Sequence, residues 1–320
     1  MSVALLFSPQ GSQAVGMGRE LAEAYPAAAA VFASADETLG WSVSHLAWHG
    51  PQERLDRTRQ TQPCLITASI AGLAALEAAT ALQGGLRPSL VAGHSVGEYA
   101  ALVAAGVLSF PDALRLAALR GSLMADAHVP GGMVAVIGLD RRAVAEVVAQ
   151  AGLADDLTMA NDNAPGQVVI SGTTEALAAI AAPLSAAGAR RSIPLRVSGP
   201  FHSPMMAPVG DRLAAAFASI AWRDADPPLV SNVSAEPVRD AAQIRVLLAR
   251  QVSSPVEWVR SVRRMAADGV DTFVECGPGG ALAGMVRRIV PDARALTVSD
   301  LATLTATVEA LAGTLAGTAA

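Results

Sequence analysis

Short apolar runs alternating with longer helical stretches constrain this chain more than any other feature of its sequence. Strands of four or five residues are expected at 3–7, 90–93, 229–232 and 272–275. Between and after them, helical patterns are expected over 18–39, 62–82, 99–105, 110–127, 206–220, 241–251, 256–268, 281–289 and 302–315. Strands joined through helices predict a mostly parallel sheet covered on both faces. Between residues 130 and 198 the order changes. After Pro130-Gly131-Gly132, strands at 133–137, 157–161, 168–171 and 190–197 and helices at 141–151 and 174–187 follow β-α-β-β-α-β, the ferredoxin-like order. The expected fold is therefore α/β, with a large domain from residues 1–129 and 199–320 and a small ferredoxin-like domain, 130–198, inserted into it.

Composition narrows the class. At 52% hydrophobic and 16% charged residues the chain carries enough apolar surface for a packed core. The longest apolar helix, 64–82, is interrupted by Thr67, Ser69 and Glu77, and reads as a buried helix and not as a membrane span. The opening run 3–7 lacks a basic leader and reads as a buried strand. Cys64 and Cys276 make neither a disulfide framework nor a metal motif, which suits a reducing cytoplasm. The net charge of −5 argues against nucleic acid as a partner. All 23 basic residues are arginine, so any cationic site must be built from guanidinium groups.

The strand at 90–93 runs directly into Gly93-His94-Ser95-Val96-Gly97, a G-x-S-x-G sequence followed by an Ala/Leu-rich helix. A sharp strand-to-helix turn pushes the serine side chain outward, and small residues two before and two after it let the backbone close. The serine then lies at a helix N-terminus, where free N–H groups favour negative charge. The Val96 N–H is placed to face a carbonyl oxygen as it becomes an oxyanion. A serine hydroxyl needs a base. Among His45, His49, His94, His128 and His202, the last lies in a turn-forming context, Gly199-Pro200-Phe201-His202-Ser203, while His94 points away from its neighbour on the turn.

Seven motifs in order then carry a resemblance: Phe7-Ser8-Pro9-Gln10-Gly11-Ser12-Gln13, Thr61-Gln62-Pro63, Gly93-His94-Ser95-Val96-Gly97-Glu98, Arg120-Gly121 with Met124, Asn161 to Gln167, Gly199-Pro200-Phe201-His202, and Glu275-Cys276-Gly277-Pro278-Gly279. Over nearly its whole length the chain resembles the malonyl-CoA:acyl-carrier-protein transacylases of fatty-acid synthesis and the related acyltransferases of polyketide synthases. The resemblance implies an α/β-hydrolase-like large domain. It implies Ser95 as the acylated nucleophile and His202 as its base, oriented by the main-chain carbonyl of Gln251 in place of a triad carboxylate. Gln10 and Val96 match the oxyanion N–H donors, and Arg120 the grip on the free malonyl carboxylate. Phe201, Met124, His94 and Asn163 match pocket positions. A bulky aromatic at Phe201 accompanies malonyl over methylmalonyl in the polyketide relatives, a preference of about 1–3 kcal/mol for one methyl.

The implied reaction is ping-pong transfer from malonyl-CoA to the phosphopantetheine thiol of an acidic acyl carrier protein, with no metal and no redox cofactor. Arg190, Arg191 and Arg196 are the expected docking residues, with Arg287 and Arg288 as a second cluster, and the family favours a monomer. Three other readings stand beside this one: a polyketide acyltransferase with another acyl donor, a serine thioesterase or hydrolase, and a non-catalytic scaffold. One departure stands out. Ser8-Pro9 replaces the family's Pro-Gly, and proline fixes φ where glycine leaves it free, so the Gln10 loop is expected to sit differently.

Overall fold

A computed structural model describes residues 2–81 and 85–315 of the chain. Ten strands occur among them: β1 Val3–Phe7, β2 Leu90–Gly93, β3 Gly132–Ile137, β4 Leu157–Ala164, β5 Gln167–Gly172, β6 Arg191–Pro194, β7 Leu229–Val230, β8 Pro237–Val238, β9 Thr272–Cys276 and β10 Arg294–Val298. They form two sheets, one ordered β10-β9-β1-β2-β7-β8 and one ordered β4-β5-β3-β6. The first is parallel from β10 through β7, with only the β7–β8 pair antiparallel.

The central strand shows why the main sheet is covered on both faces. All five residues of β1 are buried. Successive side chains on a strand point to opposite faces. Leu5 and Phe7 join one apolar cluster with Val91, Leu65 and Leu102, whereas Ala4 and Leu6 join another with Phe273, Trp258 and Leu282. The helix Thr58–Thr80 lies in the first of these layers. By length and composition it would pass as a membrane span, yet most of it is buried in the protein. It supplies core, as its interrupted sequence suggests.

The second sheet is antiparallel throughout and has the strand order of a ferredoxin-like unit. Val136, Val168 and Ile170 pack against Val144 and Val148 of the helix Arg141–Gln150 and against Ile180 and Leu184 of the helix Thr174–Ala186. Through β4 the small sheet reaches the segment just before the helix Trp258–Ala267. Asn161 bridges Val256, and the Asp162 N–H donates to the Val256 carbonyl at 3.1 Å.

Several boundaries differ from expectation, each for a physical reason. The helix expected over 18–39 is two, Arg19–Ala24 and Pro26–Leu39, because Pro26 cannot continue the first and is suited to start the second. The helix expected from 62 begins at Thr58 and contains Pro63; its expected end at Leu82 lies outside the described residues. The strand expected over 190–197 is only Arg191–Pro194, an exposed edge. The helix Val43–His49 and strand β10 were not expected. β10 is a mixed-polarity edge strand whose existence depends on pairing with β9.

Candidate active site

The nucleophile turn is enforced by its glycines. A β-carbon on Gly93 would lie 2.0 Å from the Gly97 carbonyl, and one on Gly97 would lie 2.2 Å from the Phe7 oxygen. Nothing larger fits. Ser95 itself sits at φ 53°, the left-handed region that non-glycine residues rarely adopt, as sharp nucleophile turns require. Asn232, just beyond β7, clamps this turn from the side. Its Oδ1 accepts from the Ser95 N–H at 2.7 Å, and its Nδ2 donates to the Gly93 carbonyl at 2.6 Å.

His202 comes from the segment after β6 and also has a left-handed φ, 58°. Its Nε2 stands 2.8 Å from Ser95 Oγ. Its Nδ1 faces two carbonyl oxygens, Gln251 at 3.0 Å and Ser254 at 3.2 Å. Carbonyls only accept, so Nδ1 carries the proton and the Nε2 lone pair receives the Ser95 hydroxyl. The His202 N–H donates to the Val252 carbonyl at 3.0 Å. The Gln251 carbonyl ends the helix Ala241–Gln251, Val252 caps it and Ser254 follows shortly after, and the terminal oxygens of a helix lack partners within it. The negative end of that helix stands where a triad carboxylate would otherwise be, and favours an imidazolium when one forms. In the resting site the imidazole is neutral. Burial, then the Arg120 charge, pushes it down to about 3.

Arg120 reaches the same point from the helix Phe110–Ala125. Gly121 lets that helix approach the helix Thr58–Thr80, since a β-carbon there would lie 2.8 Å from the Thr58 oxygen. Arg120 is 1% exposed. Nη1 donates to Gln62 Oε1 at 2.9 Å, and Nη2 to Gln251 Oε1 at 3.0 Å and Ser95 Oγ at 3.1 Å. Among the described residues, its Nε has no hydrogen-bond partner. Arg120 is thus a buried cation held by neutral acceptors beside a serine–histidine pair.

Gln10, His94, Met124 and Phe201 line a cavity with Ser95 and His202. It measures about 90 Å³ and is lined by Pro9, Gln10, His94, Ser95, Met124, Met133, Asn161, Leu195, Val197, Phe201 and His202. Two larger cavities, about 450 and 590 Å³, lie beside it and contain neither Ser95 nor His202, so size alone does not locate the chemistry. His94 Nε2 pairs with Asn163 Oδ1 at 2.8 Å, leaving it directed away from Ser95. Met124 Sδ accepts from Gln62. Register shifts in β4 around Asn161 and Asn163 turn both side chains inward, as a bulge does. Among the described residues, neither the Gln10 nor the Val96 N–H donates to a protein acceptor.

The Ser8-Pro9 departure has a structural reason. Ser8 Oγ donates to the buried carboxylate Glu275 Oε1 at 2.8 Å, anchoring the loop that carries Gln10 to the end of β9. Sequence reasoning left four residues without a role: Gln62, Glu98, Asn232 and Ser254. Gln62 and Glu98 stood inside motifs already singled out, whereas Asn232 and Ser254 had no local signal.

A family profile described as an acyl transferase domain matches residues 4–315. The malonyl CoA-acyl carrier protein transacylase of Salmonella typhimurium is 44% identical over 306 residues, covering 95% of this chain and 97% of its own. This chain belongs to that family. Among solved structures, an acyl carrier protein S-malonyltransferase from Vibrio cholerae superposes with a TM-score of 0.90 at 40% identity, over 96% of this chain and 100% of the other. A malonyl-transacylase solved in complex with its type II polyketide acyl-carrier protein has a TM-score of 0.91 at 40% identity, over 97% and 100%. Transacylases of this family share the two-sheet fold described above, and the site just built occupies the carboxyl ends of its parallel strands.

Proposed function

We propose that this transacylase moves a malonyl group from coenzyme A to the phosphopantetheine thiol of an acyl carrier protein through an ester on Ser95. His202 Nε2 takes the hydroxyl proton as Ser95 Oγ attacks the thioester carbonyl. The carbonyl oxygen gains charge facing the Val96 and Gln10 N–H groups. The carbon–sulfur bond then breaks, and the imidazolium returns the proton to the departing CoA sulfur. The carrier thiol repeats these steps in reverse order on malonyl-Ser95, with His202 again taking and returning the proton.

The observation that carries this reading is Arg120. A guanidinium sealed in the site, with an unpartnered N–H and one nitrogen 3.1 Å from the nucleophile, suits an acyl group ending in a carboxylate. An acetyl group would leave that cation unpaired. A hydrolase would instead be expected to place an acid against His202 Nδ1, where this chain has two carbonyls. Phe201, 4% exposed on the cavity wall, occupies space that an α-methyl would need.

Exposed Arg190, Arg191 and Arg196 make no ion pair among the described residues and suit an acidic carrier protein. Arg287 and Arg288 already donate to the Ala295 carbonyl and to Gln167, and fit docking less well. Residues 130–198 are read as the small domain and 1–129 with 199–320 as the large one. A monomer in the cytoplasm completes the reading, in keeping with free, buried Cys64 and Cys276.

The test is intact-protein mass after brief incubation with malonyl-CoA, acetyl-CoA or methylmalonyl-CoA. A malonyl-sized increase with malonyl-CoA, absent in Ser95→Ala and much weaker with the other donors, is expected. An adduct that survives Ser95→Ala, or equal labelling by acetyl-CoA, would overturn it.

A further inference from the structure

Glu98 lies in the first turn of the helix Gly97–Ala104, is 1% exposed, and points back under the active site. Both of its oxygens face donors. Oε1 accepts from the Asn232 N–H at 3.3 Å, and Oε2 accepts from the Gln251 side-chain amide. Each donor belongs to a residue that holds the nucleophile. Asn232 grips the Ser95 N–H and the Gly93 carbonyl, while Gln251 Nε2 also donates to the Ser95 carbonyl at 2.8 Å. The other end of the Gln251 amide, Oε1, accepts from Arg120 Nη2.

We infer that Glu98 is a specificity-positioning residue: its carboxylate fixes which end of the Gln251 amide faces Arg120, and so aims the guanidinium at the acyl carboxylate. The logic is one of donors and acceptors. With a carboxylate at 98, Gln251 must turn its NH2 toward Glu98 and the Ser95 carbonyl, which leaves its oxygen for Arg120. A neutral side chain at 98 keeps one acceptor and gains one donor. The Asn232 N–H is backbone and cannot rotate away, so the acceptor stays with it and the donor turns to Gln251. Gln251 then meets a donor at 98 with its own NH2, and it relieves that clash only by flipping, which gives up the Ser95 carbonyl and sets its NH2 against the Arg120 NH2, donor against donor. Arg120 must tilt away, and the grip on a malonyl carboxylate weakens.

Arg120 is the charged group facing this network, from the helix Phe110–Ala125. Burial raises Glu98 to about 7, against the opposing pull of its two hydrogen bonds and of Arg120. The neighbouring titratable groups stay in one state through neutral pH: His202 and His94 are held down to about 3 and about 4, and Tyr99 is pushed upward. Protonation of Glu98 should therefore act like its replacement by glutamine.

The inference rests on Arg120 binding the malonyl carboxylate, and the experiment separates the two. Acyl-Ser95 formation is timed with malonyl-CoA and acetyl-CoA at pH 8.5 and 6, for wild type, Glu98→Gln and Glu98→Asp. Wild type with no malonyl preference at either pH would sink the carboxylate reading itself. With that preference present, Glu98→Gln is expected to slow malonyl transfer by about tenfold more than acetyl transfer, at both pH values, and Glu98→Asp to restore part of the ratio. The wild-type ratio should fall between pH 8.5 and 6 without any variant, which keeps the test open if Glu98→Gln folds poorly. His202 serves both donors alike, so its titration cancels in the ratio. A Glu98→Gln enzyme with the wild-type ratio, equal losses for both donors, or a wild-type ratio flat across this range would overturn the inference.

Discussion

The nucleophile and its base meet at 2.8 Å but are held there in different ways. Ser95 is placed by its immediate neighbours: two glycines close the turn, and the strand and helix on either side fix its direction. His202 is placed from a distance, by carbonyls at the end of a helix some fifty residues away in sequence. Both residues carry a left-handed φ, and a strained backbone persists only where its surroundings over-determine it. On the serine side those surroundings are closely packed backbone with no room to relax, clamped further by Asn232. On the histidine side they are hydrogen bonds that can be removed one at a time. The nucleophile is thus a steric feature of the fold, and the base a polar one.

That contrast can be broken most severely at Gly97. Gly97→Ala drives a methyl against the Phe7 carbonyl at 2.2 Å, backbone against backbone, and should cost more than about 4 kcal/mol of stability or abolish folding. Urea unfolding of the purified variant measures it. His202→Ala is the counterpart on the polar side. It should leave the fold intact while slowing malonyl-Ser95 formation by roughly 100- to 10,000-fold, the usual range for a lost general base. Single-turnover acylation with circular dichroism on the same sample checks both halves. Asn232→Ala joins the two sides, because it strips partners from the Ser95 N–H and the Gly93 carbonyl. A loss of about 1–3 kcal/mol is expected, with slower acylation, read by urea midpoint and single-turnover rate.

The pH dependence of stability sharpens the comparison further. His202 and His94 are held to about 3 and about 4 in the fold, below their ordinary value of 6.5. Their stabilising effect is complete above 6.5 and is lost as the pH falls toward 4, because only the unfolded chain takes up the protons. Glu98, raised from 4.5 to about 7, acts in the opposite sense, stabilising most below 4.5 and losing that effect as the pH rises through 7. Two histidines outweigh one glutamate between these limits, so stability should fall on acidification from 6.5 to 4.5, and more steeply in Glu98→Gln. Thermal midpoints across that range decide it. The smallest effect is Ser8→Ala, which removes the hydroxyl from Glu275 and should cost about 1 kcal/mol, measured by the urea midpoint.

The comparison also explains what was legible beforehand. Gly93-His94-Ser95-Val96-Gly97 declares a turn because its geometry is local, whereas Arg120 stood out only through the resemblance. The two-sheet architecture followed from the strand–helix alternation, and its ferredoxin-like part from the element order alone. Helix Val43–His49 and strand β10 were missed, since a short helix and an edge strand owe their existence to packing and pairing more than to their own sequence. Asn232 was missed for a related reason. Nothing in Leu229-Val230-Ser231-Asn232 tells that its amide will close on a turn 137 residues earlier.

The sequence by itself determined the alternation that makes the parallel sheet and the turn that carries the serine, because each depends on residues adjacent in the chain. Tertiary structure alone decided which carbonyls fix the His202 tautomer, how Gln251 turns its amide, and that Glu98 and Asn232 lie beneath the nucleophile. Those are hydrogen-bond choices between groups far apart in sequence, and a donor acquires its acceptor only when the fold brings the two within about 3 Å.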